Sequence, residues 1–297
     1  MEKLILWTAL LIMAGFGYVE SITNYQCSEA ENSTVNTVYQ ANVRNLLDSL
    51  VTSAPLQDGF FNTTVGDGSD QVYGLAWCRA DVSPEACSDC LNSSISTPLR
   101  DCTESKDMAI WTTLCSLRYS NESFFGKHWT NSSSSTYGYN GLDDPSVFSQ
   151  GFSMMENIAR NVSNQPLMFE TRAIDVGANG GRYGLGQCSR DLSKSECENC
   201  LEGLLTNYQT YVLNRTGWEM LGVSCGMWYD DVRFYDNNST LTPRPNTILT
   251  PTPNPTLTPT PNSGLIPTPD TSGGGEIWYK GDVILALVAL FVFHLTV

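Results

Sequence analysis

Cys78-Arg-Ala-Asp-Val-Ser-Pro-Glu-Ala-Cys87-Ser-Asp-Cys90 reads C-x8-C-x2-C, and the same spacing returns as Cys188, Cys197 and Cys200. The agreement extends beyond the cysteines. Tyr73-Gly-Leu-Ala-Trp-Cys78 matches Tyr183-Gly-Leu-Gly-Gln-Cys188, and Cys115 matches Cys225, all at an offset of 110 residues. One spacing held over that distance means two copies of one domain. The body of the chain therefore divides into a first domain at 24–132 and a second at 135–240, each of ordinary domain size.

The repeat also bears on how the ten cysteines pair. The first copy has Cys27, Cys78, Cys87, Cys90, Cys102 and Cys115; the second keeps only Cys188, Cys197, Cys200 and Cys225. At the same offset Tyr137 and Val212 stand where Cys27 and Cys102 stand, so these two are missing together and are expected to be partners. Ser83-Pro84-Glu85 reads as an N-cap, a proline in the first turn and an acid at the positive end of a helix. Ser193-Lys-Ser-Glu196 is a capping box. Residues three apart share a helix face and are poorly placed to bond each other. The expected bonds are therefore Cys78–Cys87, Cys90–Cys115, Cys188–Cys197 and Cys200–Cys225, pinning each helix to a sheet.

The N-terminus argues for oxidised cysteines. Lys3, an apolar run from Leu4 to Phe16 and the small residues Gly15 and Gly17 read as a signal peptide over 1–20. Export makes disulfides the default and argues against a zinc or redox role for C-x2-C, so no metal or cofactor is expected. Nine asparagines fit the glycosylation sequon: Asn32, Asn62, Asn92, Asn121, Asn131, Asn161, Asn214, Asn237 and Asn238.

Each domain reads as α+β. Val43, Leu46, Leu47, Leu50 and Val51 fall on one helical face, as do Phe152, Met155, Ala159 and Val162. Strands follow at 60–65 and 72–78, and the cysteine helix comes after them. Two further strands, 109–119 with 124–129 and 220–229 with 232–235, are expected to close each unit. The expectation is two helices on one face of an antiparallel sheet of about five strands, with the other face open to a partner, a sugar or the sister domain. Trp111, Trp129, Trp218, Trp228 and Tyr229 are the aromatics such a face offers to sugar or protein.

From residue 242 to 271 the chain is a Thr/Pro-rich stalk, extended when polyproline II. Residues 272–297 place small residues at Ser272 to Gly275, then a polar spacer, then an apolar tail. That order is the signal for a lipid (GPI) anchor at Ser272 or Gly273. The competing reading, a short transmembrane tail, has 15 apolar residues against the 20 or so that a span requires.

The doubled C-x8-C-x2-C motif, with a cysteine 25 positions after each, resembles the plant cysteine-rich repeat secretory proteins and their ginkbilobin-like, salt-stress-response/antifungal domains. The resemblance covers residues 24–240. It implies the pairing given above, and kinship with plasmodesmata-located proteins and with the ectodomains of cysteine-rich receptor-like kinases. The antifungal founder of the family binds mannose through an Asn, an Arg and a Glu. Ser28, Ala109 and Ser120 hold those places in the first copy, and Glu219 and Asp230 hold two of them in the second, so mannose binding does not carry over.

Catalysis is disfavoured. The chain has two histidines, His128 and His294, and no G-x-S-x-G, H-E-x-x-H or phosphate-binding glycine loop. A formal charge of −15 argues against nucleic acid and against attack on anionic membranes. The expectation is a non-catalytic recognition protein tethered to the outer face of the plasma membrane, at plasmodesmata in the variant closest to that branch of the family. Its partners would be a wall carbohydrate, a receptor ectodomain or a similar chain; the alternatives are a secreted antifungal, mannose-binding lectin-like defence protein and a plasmodesmata-located transmembrane regulator.

Overall fold

The computed structural model describes residues 24–28, 35–138, 140–142, 144–211 and 214–235. The signal peptide, the stalk, the anchor residues Ser272 and Gly273, and the sequons at Asn32, Asn237 and Asn238 lie outside the described residues. Two five-stranded antiparallel sheets and four long helices build the two repeats.

In the first repeat the order is β1 (Asn24–Cys27), α1 (Thr37–Ser53), β2 (Phe60–Val65), β3 (Val72–Cys78), α2 (Pro84–Asp101), β4 (Asp107–Trp111) and β5 (Cys115–Ser120). The second repeats it with β6 (Ser133–Tyr137), α3 (Pro145–Asn161), β7 (Phe169–Asp175), β8 (Gly181–Cys188), α4 (Lys194–Tyr211), β9 (Trp218–Gly222) and β10 (Cys225–Asp230). The sheets share one topology, β1-β4-β5-β3-β2 and β6-β9-β10-β8-β7.

The fifth strand of each sheet is not where the sequence suggested. Residues 109–119 form a hairpin rather than one strand, β4 turning into β5 where Thr112 Oγ1 accepts from the main-chain N–H of Leu114 and Cys115. Residues 220–229 turn likewise between β9 and β10. Residues 124–129 and 232–235 form no strand; Gly126, at φ 78°, turns the first of these stretches. The outermost strands are instead β1 and β6, so a strand and not a helix opens each repeat. Ser-Ser-Ser-Thr-Tyr of β6 carries no apolar alternation, which hides it from a pattern search.

The helix starts are set by local chemistry. Asn36 caps α1 by accepting from Tyr39 N–H at 2.8 Å, and Asp144 caps α3 from Ser146 N–H with Pro145 in the first turn. Ser83 and Ser193 accept from Ala86 and Glu196 N–H at the heads of α2 and α4. Leu46, Leu47, Leu50 and Val51 of α1 are buried against Val72, Ala76 and Leu117. Met154, Met155, Ile158 and Ala159 of α3 do the same against β8 and β10. Gly74 and Gly184 let the helices lie close, since a Cβ at either would run into Leu46 or Met155. Disulfides Cys78–Cys87, Cys90–Cys115, Cys188–Cys197 and Cys200–Cys225 staple the cysteine helices to their sheets, and Cys27–Cys102 ties β1 to the end of α2. Strand register puts Tyr137, opposite Trp218, where Cys27 stands opposite Met108.

Candidate functional site: the sheet faces, a cross-repeat latch and an edge groove

Strand residues alternate between two faces. Those facing the helices form the two cores just described. Leu75, Trp77 and Trp111 of the first sheet point the other way and pack with Leu185, Leu221 and Trp228 of the second in one buried cluster. The face that the sequence left open to a partner, a sugar or the sister domain is closed by the sister domain.

Several polar groups in this seam are paired across it. Trp77 Nε1–H donates to the Val223 carbonyl at 2.8 Å, and Ser116 Oγ–H donates to the same oxygen at 2.9 Å. Gln187, the counterpart of Trp77, accepts from Ala80 N–H and donates to the Cys78 carbonyl. Arg190 Nη2 donates to the Gln57 and Asp58 carbonyls and its guanidinium lies over Phe60. At the rim, Glu196 Oε2 accepts from the main-chain N–H of His128 at 3.0 Å and from His128 Nδ1 at 2.6 Å. One half of the expected capping box is thus present at Ser193, while the Glu196 carboxylate latches the first repeat to the head of α4.

A separate groove lies on the helix side of the second sheet. Gln150, Ser153 and Asn157 of α3 face Glu170, Arg172 and Asp175 of β7, enclosing about 910 Å3. β7 is an edge strand, paired only with β8. Glu170 Oε1 accepts from Arg172 Nε at 2.6 Å, and Oε2 is buried with no hydrogen-bond partner among the described residues. By register Glu170 corresponds to Phe61 and Arg172 to Thr63, so the first repeat packs an aromatic ring where the second has an ion pair. Sequence reading missed this site. Its signal was present in the strand comparison, where an apolar inward position of β2 becomes acidic in β7.

The family model described as salt stress response/antifungal matches residues 26–122 and 132–232. The chain belongs to this salt stress response/antifungal family. Cysteine-rich repeat secretory protein 38 of Arabidopsis thaliana is 32% identical over 215 residues, covering 71% of this chain and 84% of that one. An antimicrobial ginkbilobin-2-like protein of Castanea crenata is 28% identical, covering 71% and 87%. Cysteine-rich receptor-like protein kinase 7 of Arabidopsis thaliana is 31% identical over 74% of this chain, which spans only 34% of the kinase's length. The crystal structure of the tandem DUF26 ectodomain of the Arabidopsis thaliana cysteine-rich receptor-like protein PDLP8 shares the fold at TM-score 0.57 and 23% identity, covering 71% of this chain and 98% of that one. The chain is thus a tandem salt stress response/antifungal unit of the extracellular, cysteine-rich secretory type.

Of the sugar-contact positions of the antifungal founder, Ala109 and Glu219 fall on the closed seam. Ala109 is fully buried there and Ser120 is buried, while Ser28 accepts from Asp107 N–H. In the second repeat Glu219 accepts from Thr113 Oγ1 across the seam; burial pushes its carboxyl up, and pushes that of Asp230 up as well. The aromatics proposed as an exposed platform are mostly core: Trp111, Trp218, Trp228 and Tyr229 are each at most 3% exposed. Trp129 is half-buried, its ring stacked on the Arg118 guanidinium. The sequons at Asn62, Asn92, Asn121, Asn131 and Asn214 are exposed, and Asn161 is half-buried at the end of α3.

The latch predicts a pH effect. The main-chain N–H of His128, then its imidazole, hold the Glu196 carboxyl below its ordinary value of 4.5. A depressed folded value contributes stability that is present above the ordinary range and lost as pH falls through the folded value. Wild type should therefore lose more stability than Glu196→Gln in urea titrations between about pH 6 and pH 3. Parallel curves for the two proteins would show that the latch contributes nothing.

Proposed function

We propose that the tandem unit is a non-catalytic extracellular recognition module held at the plasma membrane, and that the groove between α3 and β7 takes a neutral wall oligosaccharide. The observation that carries the reading is the Glu170–Arg172 pair with the partnerless Oε2, set in a groove of amides and hydroxyls. A buried acceptor without a donor is costly, and a turn of the Glu170 carboxylate towards the groove would let a sugar hydroxyl satisfy it. Glu170 and Arg172 pair with each other, Asp175 leaves the groove acidic, and the chain carries −15 overall, so an acidic pectin is disfavoured against a neutral glycan. The two sheet faces are already used, which leaves the helix side and the edges for a ligand.

Titration of the secreted chain with neutral β-linked oligosaccharides and with an oligogalacturonide should give binding to the neutral set alone. Arg172→Ala combined with Asn157→Ala should weaken it at least tenfold, the loss expected for a charged and a neutral hydrogen bond together (about 1.4 kcal/mol per factor of ten). Unchanged affinity in the double variant, or binding only to a receptor ectodomain, rejects the groove. The tether has its own test. Phosphatidylinositol-specific phospholipase C should release the protein from intact membranes; retention with the tail still attached points to a transmembrane segment instead.

A further inference from the structure

The connection between the repeats runs past α4 and leaves a cleft of about 350 Å3. Asn199, Gly203 and Asn207 stand at i, i+4 and i+8 on one stripe of α4 and form its floor. Trp129, Thr130 and Ser133 form the wall, Ser133 accepting from Asn207 Nδ2 at 3.2 Å.

Three features of this cleft lack an explanation within the protein. Gly203 is exposed in mid-helix, where glycine is less favourable than alanine. No close packing requires it, because a Cβ there would meet no atom within 4 Å. Trp129 lines the cleft and its indole N–H has no acceptor among the described residues. Asn131, an exposed sequon asparagine, sits on the rim between the lining residues Thr130 and Ser132.

We infer that the innermost N-acetylglucosamine residues of a glycan on Asn131 fold back into this cleft and lie across Gly203. The volume falls within the range of small-ligand sites, and the lining of amides, hydroxyls and one tryptophan matches the acetamido group and hydroxyls of that sugar. Attachment at the rim gives the sugar an effective concentration in the millimolar range, so weak contacts suffice to seat it. The bare position at Gly203 provides the space for it. The seated glycan would bind the connection to the second repeat, independently of whatever occupies the α3–β7 groove.

The test uses the full chain secreted from a glycosylating host, with Gly203→Ala, Asn131→Gln and the double variant. Glycopeptide mapping should find Asn131 occupied. Without the glycan, Gly203→Ala should raise the melting midpoint by about 2–4 °C, the gain of alanine in an exposed helix position. With the glycan the gain should vanish or reverse, because the methyl takes the sugar's place. Amidase treatment of the native protein should free the glycan at Asn121 at least tenfold faster than that at Asn131, and Gly203→Ala should narrow the gap. Should Asn131→Gln fail to fold, enzymatically deglycosylated wild type and Gly203→Ala replace that arm. An unoccupied Asn131, an equal midpoint gain in both backgrounds, or equal release at the two sites overturns the inference.

Discussion

Trp77→Ala should destabilise the protein by about 3–5 kcal/mol, the usual cost of removing a buried tryptophan and leaving a cavity. The side chain is 4% exposed at the centre of the seam, in the cluster that includes Leu75, Val223 and Trp228. Against a typical total of 5–15 kcal/mol, that is a large share. The change should also alter the shape of the urea transition. The seam joins two repeats that each have their own core, so loosening it should lower the apparent slope or split the curve into two steps. Trp77→Phe separates packing from hydrogen bonding. It keeps most of the ring volume and loses the donation to the Val223 carbonyl, which retains Ser116 Oγ–H, so the cost should be only about 1 kcal/mol. A Trp77→Ala protein within 1 kcal/mol of wild type would show that the seam holds no load.

Burial of that seam explains which features were legible in the sequence. The cysteine pairing was readable because Tyr137 and Val212 replace two cysteines together, and a covalent bond must lose both ends or neither. The core faces of α1 and α3 were readable because a 3.6-residue period survives any tertiary arrangement. The fate of the far sheet face was not. Trp111 and Trp228 look the same in a sequence whether they meet a sugar or another sheet, and only the register, with Leu75, Leu185 and Leu221 on the same side, decides for the second. The edge strands β1 and β6 escaped for a different reason. Short polar edge strands are ordered by their neighbours, here β4 and β9, rather than by a hydrophobic pattern of their own.

The same comparison shows where the candidate site arose. The two repeats share their strands in register, so each substitution between them can be placed on a face. On the helix side of the edge strand, Phe61 becomes Glu170 and Thr63 becomes Arg172, which opens a polar groove in the second repeat. Duplication followed by burial of one face leaves such helix-side and edge positions free to diverge, since a change there does not break the seam.

Removing the Cys27–Cys102 bond, by Cys27→Ser with Cys102→Ala, should cost about 4.5 kcal/mol at 25 °C by the chain-entropy relation for a loop of 75 residues. The 25-residue bonds Cys90–Cys115 and Cys200–Cys225 give about 3.5 kcal/mol each by the same relation. The effect should be local in the native state. β1 and the last turn of α2 should lose amide protection first, since β1 pairs only with β4 and the bond anchors both ends of that corner. The second repeat does without this bond, which by itself predicts a weaker domain. Its core, however, stacks Phe148, Phe152, Tyr208, Trp218 and Tyr229 in succession, with centroids 4.6 to 6.1 Å apart. Each such pair adds about 0.5–1.5 kcal/mol beyond its burial, so four of them reach the size of the missing bond. In the first repeat Met108 and Tyr119 occupy the places of Trp218 and Tyr229, and the ladder has no equivalent for Trp218. With two disulfides left in each repeat and the full ladder only in the second, the variant should unfold first in its first repeat, the reverse of the order that cysteine content suggests for the wild type. Hydrogen exchange on the disulfide variant, compared with Tyr208→Ala, measures both staples. If the second repeat opens first even in the disulfide variant, the aromatic ladder does not replace the bond.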